Sequence, residues 1–384
     1  MTHFTPTTRH RSVNSCAEIA VTFVIPCYNL AHLLPDCIES ILSQDFEDFE
    51  ILIMDDCSPD NTPEVAASFN DARVFHVRNE RNLRHLANYN RGIKRARGRY
   101  VWLISADDYL RRPDVVRKYV ELMDRNPQVG YACCSGVGVR DGIETGILDY
   151  SVAGTRDFIV PGHTWLRQLL KRNIVLAASG CVRRECYLEF GAFPLDMPWA
   201  GDWYLWLLFS LYRDVAYFHE PMVCYREHSL SMTTQLTATK AAACCAEEIE
   251  ILWQIKRRAD AAGWAKISRE CLEALSAHYA KSTVAGKFGL AEPVNTLEQF
   301  EESLCASSQD EAERKFVRAR VWVNMGSACY WRGDIVAANR WYRDALKLNP
   351  IMPAVVAKKM SIAMGPAGSI LRNGIRRVGL WTGR

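Results

Sequence analysis

Between Ala20 and about residue 140, short apolar runs alternate with amphipathic helical patterns, and this alternation constrains the fold most. Val21-Thr22-Phe23-Val24-Ile25 reads as a buried strand, and Leu33, Leu34, Cys37, Ile38, Ile41 and Leu42 then recur at helical spacing. A strand at 50–54, a short helix after Pro63 and a strand at 74–77 follow. A helix from about Arg84 to Ala96 ends ahead of Gly98. The strand at 100–104 leads to a helix opened by Pro113, a residue favoured in the first turn. The order βαβαβαβ predicts an α/β fold with a doubly wound, mostly parallel sheet.

Two of these strands end in acid pairs. Glu50-Ile51-Leu52-Ile53-Met54 runs into Asp55-Asp56, and Tyr100-Val101-Trp102-Leu103-Ile104 runs through Ser105-Ala106 into Asp107-Asp108. Adjacent carboxylates beside a buried strand are costly unless a cation or hydrogen-bond donors compensate them. Oxygen ligands of this kind suit Mg²⁺ or Mn²⁺, which commonly hold nucleotide phosphates. Both pairs belong at the carboxyl edge of the sheet, where ligands of open α/β folds bind.

At 384 residues, two or three domains are expected. A net charge of +3 does not mark a nucleic-acid binder, although residues 353–384 carry six basic residues and no acid. The 14 cysteines show no zinc-type spacing and read as buried thiols of a reducing cytosol. No run of 18 apolar residues occurs, and residues 1–17 lack the apolar middle of a signal peptide, so they are expected to form a flexible tail. The loop after the first strand, Pro26-Cys27-Tyr28-Asn29-Leu30, has no glycine fingerprint of a dinucleotide oxidoreductase, and no P-loop motif is present.

Residues 141–235 mix helical patterns at 162–171, 184–190 and 202–212 with short strands at 215–219 and 222–226. From about Leu236 the pattern is all helical. Within 319–352, Trp322, Met325, Gly326, Gly333, Ala338, Tyr342, Ala345 and Pro350 fall at tetratricopeptide spacing. The expected division is a tail at 1–17, an α/β domain at 18–235, a helical extension at 236–318, a tetratricopeptide-like pair at 319–352 and a basic tail at 353–384.

An ordered set of motifs joins the acid pairs: Val24-Ile25-Pro26-Cys27-Tyr28-Asn29, Ser40-Ile41-Leu42-Ser43-Gln44, Asp55-Asp56-Cys57-Ser58-Pro59-Asp60, Asn90-Arg91-Gly92, Gly191-Ala192-Phe193, Gly201-Asp202-Trp203 and Tyr225-Arg226-Glu227-His228. In this order and spacing, residues 20–230 resemble a family 2 glycosyltransferase of the GT-A fold, the nucleotide-diphospho-sugar transferase type, here with an all-α carboxyl-terminal region. The resemblance implies an inverting enzyme that moves a sugar from a nucleotide-sugar donor, UDP favoured, to a hydroxyl acceptor. It also implies a role in bacterial surface polysaccharide or glycolipid assembly.

Residue by residue, the resemblance places Pro26, Tyr28, Asn29, Asp56, Arg84 and Asp107 on the nucleotide, with Tyr28 offering a face for the base and Asp56 accepting from a uracil ring N–H. It places Asp108 and His228 on the metal, Mn²⁺ or Mg²⁺, and makes Asp202 the catalytic base. Two positions depart from the family pattern: Ser105 stands where an Asp is usual, and Gly201 where an acid is common. The residues alone leave other readings open. Asp55-Asp56 also suits turn capping, Asp202 also suits a helix cap, Arg81 rivals Arg84, and His228 also suits a plain loop position. Trp199 is the acceptor candidate among Trp199, Trp203 and Trp206, with Trp206 reading as core.

Implied partners are the donor and a saccharide or lipid-linked saccharide, with no nucleic acid. The implied location is the cytoplasm, with the basic segment 369–381 either lying on the inner face of the cell membrane or forming a disordered end. The helical end is a candidate for docking a protein, and a catalytically inert scaffold is the alternative from another class.

Overall fold

A computed structural model describes residues 19–148, 156–228, 231, 239–284 and 292–363. The tails at 1–17 and 369–381 lie outside them. Two compact units emerge. The first takes the chain up to Ile159 together with Val175–Phe193 and Val215–Arg226. The second takes Val160–Ile174, Pro194–Asp214 and the chain from Glu227 onward. The division therefore departs from a single cut at 235: two excursions out of the expected α/β domain are grouped with the helical region.

The first unit is built on a mixed sheet. Strands β1 (Val21–Cys27), β2 (Phe49–Asp55), β3 (Val74–Arg78) and β4 (Tyr100–Leu103) are mutually parallel in the order β3-β2-β1-β4. Between them run helices α1 (Leu34–Leu42), α2 (Thr62–Ser68) and α3 (His85–Arg95). Every residue of β1 and β2 is buried, as strands covered on both faces must be, whereas β3 at the edge exposes Phe75 and His76.

The sheet continues through β9 (Cys181–Arg183), β6 (Val129–Arg140), β10 (Asp214–Arg226), on which β8 (Phe158–Val160) also pairs, and β5 (Tyr109–Leu110). Here the neighbours β4 and β9, β9 and β6, and β10 and β5 are antiparallel. Strand β7 (Ile143–Leu148) pairs with β6 through the two-residue turn Asp141-Gly142, both at positive φ (52° and 77°).

Helix α4 (Val115–Arg125) starts after Asp114, so Pro113 precedes the helix rather than opening its first turn. The strands expected at 215–219 and 222–226 are one strand, β10, running through Pro221. Glu220 is pinned there by Lys118 at 2.9 Å and by Arg112. Behind the sheet, Phe23 stacks on Trp102 (5.6 Å), Trp102 packs on Tyr119 (4.4 Å) and Tyr119 on Phe218 (4.8 Å). The buried Trp102 indole donates to the Ala178 carbonyl (2.8 Å), satisfying its one polar atom. Helix α6 (Arg184–Phe190) follows β9.

The second unit is helical: α5 (Gly162–Leu169), α7 (Gly201–Tyr212), α8 (Ala241–Ala261), α9 (Ala265–Ser282), α10 (Leu297–Ser307), α11 (Glu311–Arg332), α12 (Ile335–Leu348) and α13 (Pro353–Ala363). Helix α13 occupies the start of the segment expected as a tail. Gly162 lets α5 approach the end of α7; a Cβ there would lie 2.1 Å from the Arg213 carbonyl oxygen.

Helices α11 and α12 occupy the segment expected to hold a tetratricopeptide-like pair, with α11 beginning at Glu311, ahead of 319. A Cβ on Gly326 would meet the Tyr342 ring at 2.7 Å, and Trp322 stacks on Trp341 at 5.1 Å. Gly333 ends α11 in the left-handed conformation (φ 89°). All cysteines among the described residues are free, and most are buried. No described helix is long and apolar enough to cross a membrane.

Candidate functional site

The carboxyl ends of β1, β2 and β4 lie side by side, with β1 between the other two. Chain connectivity reverses direction across β1, which makes this edge a topological switch point. The loops that leave it are tied together. Asp56 N donates to the Cys27 carbonyl (2.9 Å), Asn29 N to Ser58 Oγ (3.2 Å) and Ala31 N to Asp60 Oδ2 (2.9 Å), while Ala106 N donates to the Pro26 carbonyl (3.3 Å).

The first acid pair divides its labour. Asp55 is fully buried and accepts from Ser58 N (2.8 Å), His76 Nε2 (3.1 Å) and Arg78. Burial opposes its charge, but the Ser58, Arg78 and His76 donors outweigh burial and hold its carboxyl below the usual carboxylate range. Asp55 thus holds the loop.

Asp56, 3% exposed, receives Asn79 Nδ2 (2.6 Å) and Leu83 N (2.8 Å) on the same oxygen, Oδ1. Its Oδ2 has no donor among the described residues. Asn79 also donates to Asn88 Oδ1 (2.9 Å) and accepts from Arg91, and Asn88 donates to the Met54 carbonyl (2.7 Å). Sequence reading singles out neither Asn79 nor Asn88. Their signal is a pair of asparagines placed where strand β3 ends and helix α3 faces the sheet.

The motif Asn90-Arg91-Gly92 resolves into three separate duties. Asn90 exchanges two hydrogen bonds with the backbone of Phe193 (2.8 and 2.9 Å). Arg91 holds Asn79. Gly92 lets α3 lie against β1, since a Cβ there would come within 2.4 Å of Val24.

Tyr28 is half exposed, its ring open to solvent beside these loops. Arg84 is exposed and adopts φ 68°, ψ 159°, a region open essentially to glycine alone. Asn29 (φ 58°) and Cys57 (φ 59°) are also left-handed. Three of the four non-glycine positive-φ residues among those described therefore sit in the loops of this edge. Such strain costs about 1–3 kcal/mol per residue and gathers at ligand-holding loops.

In the loop after β4, Asp108 is 5% exposed and Oδ1 accepts from Arg226 N (3.0 Å). Arg226 also donates to the Asp107 carbonyl (3.1 Å) and to Asp36, and its guanidinium lies 4.7 Å from the Tyr109 ring centre. Burial, reinforced by the charge of Asp107, pushes the Asp108 carboxyl well up, against the pull of Arg226. Ser105, at the departed position, uses its carbonyl to receive Asp108 N (3.0 Å).

A buried carboxylate beside a second one is a donor set for a hard divalent cation. Mg²⁺ and Mn²⁺ are commonly held by one or two carboxylates, with phosphates and water completing the shell. Asp107 and Asp108 fit that role. No group of three or more His, Cys, Asp or Glu side chains among the described residues could hold a metal unaided, so the structure does not gather His228 with them into such a group. His228 is half-buried, belongs to the second unit and accepts Ser231 N at its carbonyl (3.1 Å).

The second unit carries Asp202 in the first turn of α7, one residue past Gly201. The helix cap is Ala200, so Asp202 is not the capping residue. Its Oδ1 accepts from Trp203 N (2.7 Å) and Oδ2 from Asn173 Nδ2 (3.0 Å). Burial raises its carboxyl above the ordinary range, against the Trp203 amide, Asn173 and the Trp206 indole.

The amides that lead into the helix, Trp199 N (2.7 Å) and Ala200 N (3.2 Å), go to Glu247 of α8. Trp203 and Trp206 are core, with Trp203 Nε1 on the Leu169 carbonyl (2.9 Å) and its ring stacked on His278 (5.4 Å). Trp199 keeps part of its ring exposed. Sequence reading misses Asn173 and Glu247, which act from outside the quoted motifs.

Comparison with known proteins agrees with this architecture. Residues 22–171 match the family described as Glycosyl transferase family 2. The succinoglycan biosynthesis protein ExoO of Rhizobium meliloti is 39% identical over 104 residues, 27% of this chain and 30% of that protein. Glycosyltransferase GlyG of Streptococcus pneumoniae is 30% identical over 113 residues, 28% of this chain and 37% of that protein. The chain thus spans about a third of the length of these curated relatives. In structure it is similar to S. aureus TarS residues 1–349, solved in complex with UDP, at TM-score 0.56 and 18% identity over 83% of this chain and 89% of that one. The fold is accordingly GT-A-like, with a helical carboxyl-terminal region.

Proposed function

We propose that the chain is an inverting glycosyltransferase that takes a sugar from a nucleoside-diphosphate donor, with UDP favoured, and passes it to a hydroxyl acceptor. One observation carries the reading. The stretch that matches family 2 places two buried carboxylates, Asp56 and Asp108, at the ends of the strands that flank β1. The open Oδ2 of Asp56 suits a base N–H, the exposed Tyr28 ring suits the flat face of a base, and Arg84, Pro26 and Asn29 frame the loops around them. Asp107 and Asp108 are the residues that would hold Mn²⁺ or Mg²⁺, with His228 as a further candidate. When bound, the cation supplies Lewis-acid neutralisation of the departing diphosphate.

Asp202 is the base in this reading. Its two anchors, Asn173 and the Trp203 amide, fix the carboxylate, and its raised pKa makes it a better proton acceptor than an ordinary aspartate. It takes the proton of the acceptor hydroxyl as that oxygen attacks the anomeric carbon. Trp199 is the candidate aromatic surface for the acceptor. The relative named for succinoglycan biosynthesis supports a saccharide acceptor, and this reading extends to a lipid-linked saccharide at the inner face of a cell membrane. The α11–α12 pair is a tetratricopeptide-like candidate for docking a protein.

The test is thermal stabilisation by UDP, GDP and dTDP, each with and without Mn²⁺. A metal-dependent rise with one nucleotide is expected. A folded protein that responds to none of them would favour an inert scaffold.

A further inference from the structure

The hydrogen bonds around Asp56 have a direction. Arg91 has only N–H donors, so Asn79 must turn its oxygen toward Arg91. Asn88 spends its NH₂ on the Met54 carbonyl and therefore turns its oxygen toward Asn79. Both constraints put the Asn79 NH₂ between Asn88 and Asp56 Oδ1. Leu83 N reaches the same oxygen. One side of the Asp56 carboxylate is thereby saturated, and the other, Oδ2, has no donor among the described residues.

We infer that Asn79 is a positioning residue that makes Asp56 a one-sided acceptor and so sets a preference for bases with a ring N–H over cytosine. The inference rests on the proposed role of Asp56 at the nucleotide base. Uracil presents a ring N–H at the edge where cytosine presents a bare nitrogen. A fixed acceptor with no donor of its own gains a hydrogen bond from the first and faces a lone pair in the second. Sites built to hydrogen-bond a ligand N–H reject analogues that lack it, because a buried group is then left unpaired.

The same geometry gives Asp56→Asn a defined orientation. Asn79 and Leu83 N continue to donate to one atom, which must be the new amide oxygen. The amide NH₂ then falls where Oδ2 was and faces the base as a donor, suited to cytosine.

The experiment is calorimetric titration of the full chain with UDP and CDP in Mn²⁺, for wild type, Asn79→Leu, Asp56→Asn and the double variant, each checked for folding by circular dichroism. Wild type is expected to prefer UDP by about tenfold or more, equivalent to the loss of one charge-assisted hydrogen bond. Asn79→Leu should bring the ratio toward one, mainly by weakening UDP. Asp56→Asn should reverse the preference, and adding Asn79→Leu should weaken that reversal because the amide is then free to flip.

Equal weakening of UDP and CDP by Asn79→Leu would make Asn79 purely structural and overturn the inference, as would unchanged selectivity. If Asn79→Leu does not fold, the half-buried Arg91→Gln stands in, with a smaller drop in the same ratio expected and an unchanged ratio counting against the inference. Wild-type protein that binds neither nucleotide would instead overturn the donor-site reading itself.

Discussion

The two units handle their polar side chains differently. In the sheet unit buried polar side chains bond to each other across long stretches of chain, as Asp56 does with Asn79 at the carboxyl edge and Thr22 with Glu50 near the amino ends of β1 and β2. In the helical unit many polar contacts are short-range or superficial, such as Lys347 with Asp344, Arg314 with Glu311, and Arg320 with Glu273. Longer-range contacts occur there too, as Asp202 makes with Asn173, Glu247 with the Trp199 and Ala200 amides, and His278 with Glu248. A network lets one substitution change what is bound. Scattered pairs let most substitutions change only local stability.

This contrast is open to direct attack. Asp202→Asn is expected to lower kcat by about 10²–10⁴-fold with nucleotide affinity near wild type, as read by initial rates and titration; retained turnover would remove Asp202 as base. Asp108→Asn should abolish the Mn²⁺-dependent part of nucleotide stabilisation in a melting assay, and a persisting metal effect would move the cation site elsewhere.

Asn173→Leu removes a hydrogen bond that lowers the Asp202 pKa. The carboxyl then rises further, its ionised form is lost at higher pH, and the acid limb of the kcat/KM profile should move upward. An unmoved limb would make Asn173 a packing residue only. Gly326→Leu should destabilise the α11–α12 pair by about 1–3 kcal/mol, seen as a lower melting temperature, because the side chain meets the Tyr342 ring. Arg320→Ala, an exposed pair with Glu273, should cost no more than about 1 kcal/mol. A larger loss there would mean that the helical unit also depends on a network.

The same difference decided what could be read from the sequence. The parallel half of the sheet is legible because β1, β2 and β4 are continuous apolar runs punctuated by helical spacing. Strand β6 is not, because Val129-Gly130-Tyr131-Ala132-Cys133-Cys134-Ser135-Gly136 carries small residues and no alternation. A Cβ at Gly136 would lie 2.4 Å from Leu176, so smallness there serves packing that no local pattern announces. Strand β9 is three residues long and has no period to detect.

At the site, the acids were visible by type and position, yet Asn79, Asn173 and Glu247 were not. Each acts on a residue 23, 29 or about 50 positions away, a relation that exists only once the chain is folded. Ser105 reads as a departure from the family motif, and in the structure its carbonyl closes the turn that carries Asp108.

The place of β9 in the sheet has a consequence for synthesis. Residues 181–183 fill the gap between β4 and β6, and β10 seals the far side of β6. As the chain leaves the ribosome, β4 emerges roughly 80 residues before its neighbour. At about 5–20 residues per second the nascent chain waits several seconds with an unpaired strand edge. A fragment ending at residue 171, where the family match stops, would keep that open edge permanently and should aggregate rather than fold. The sheet unit can close only when the ribosome has passed Arg226, so long-range strand insertion is its expected slow step.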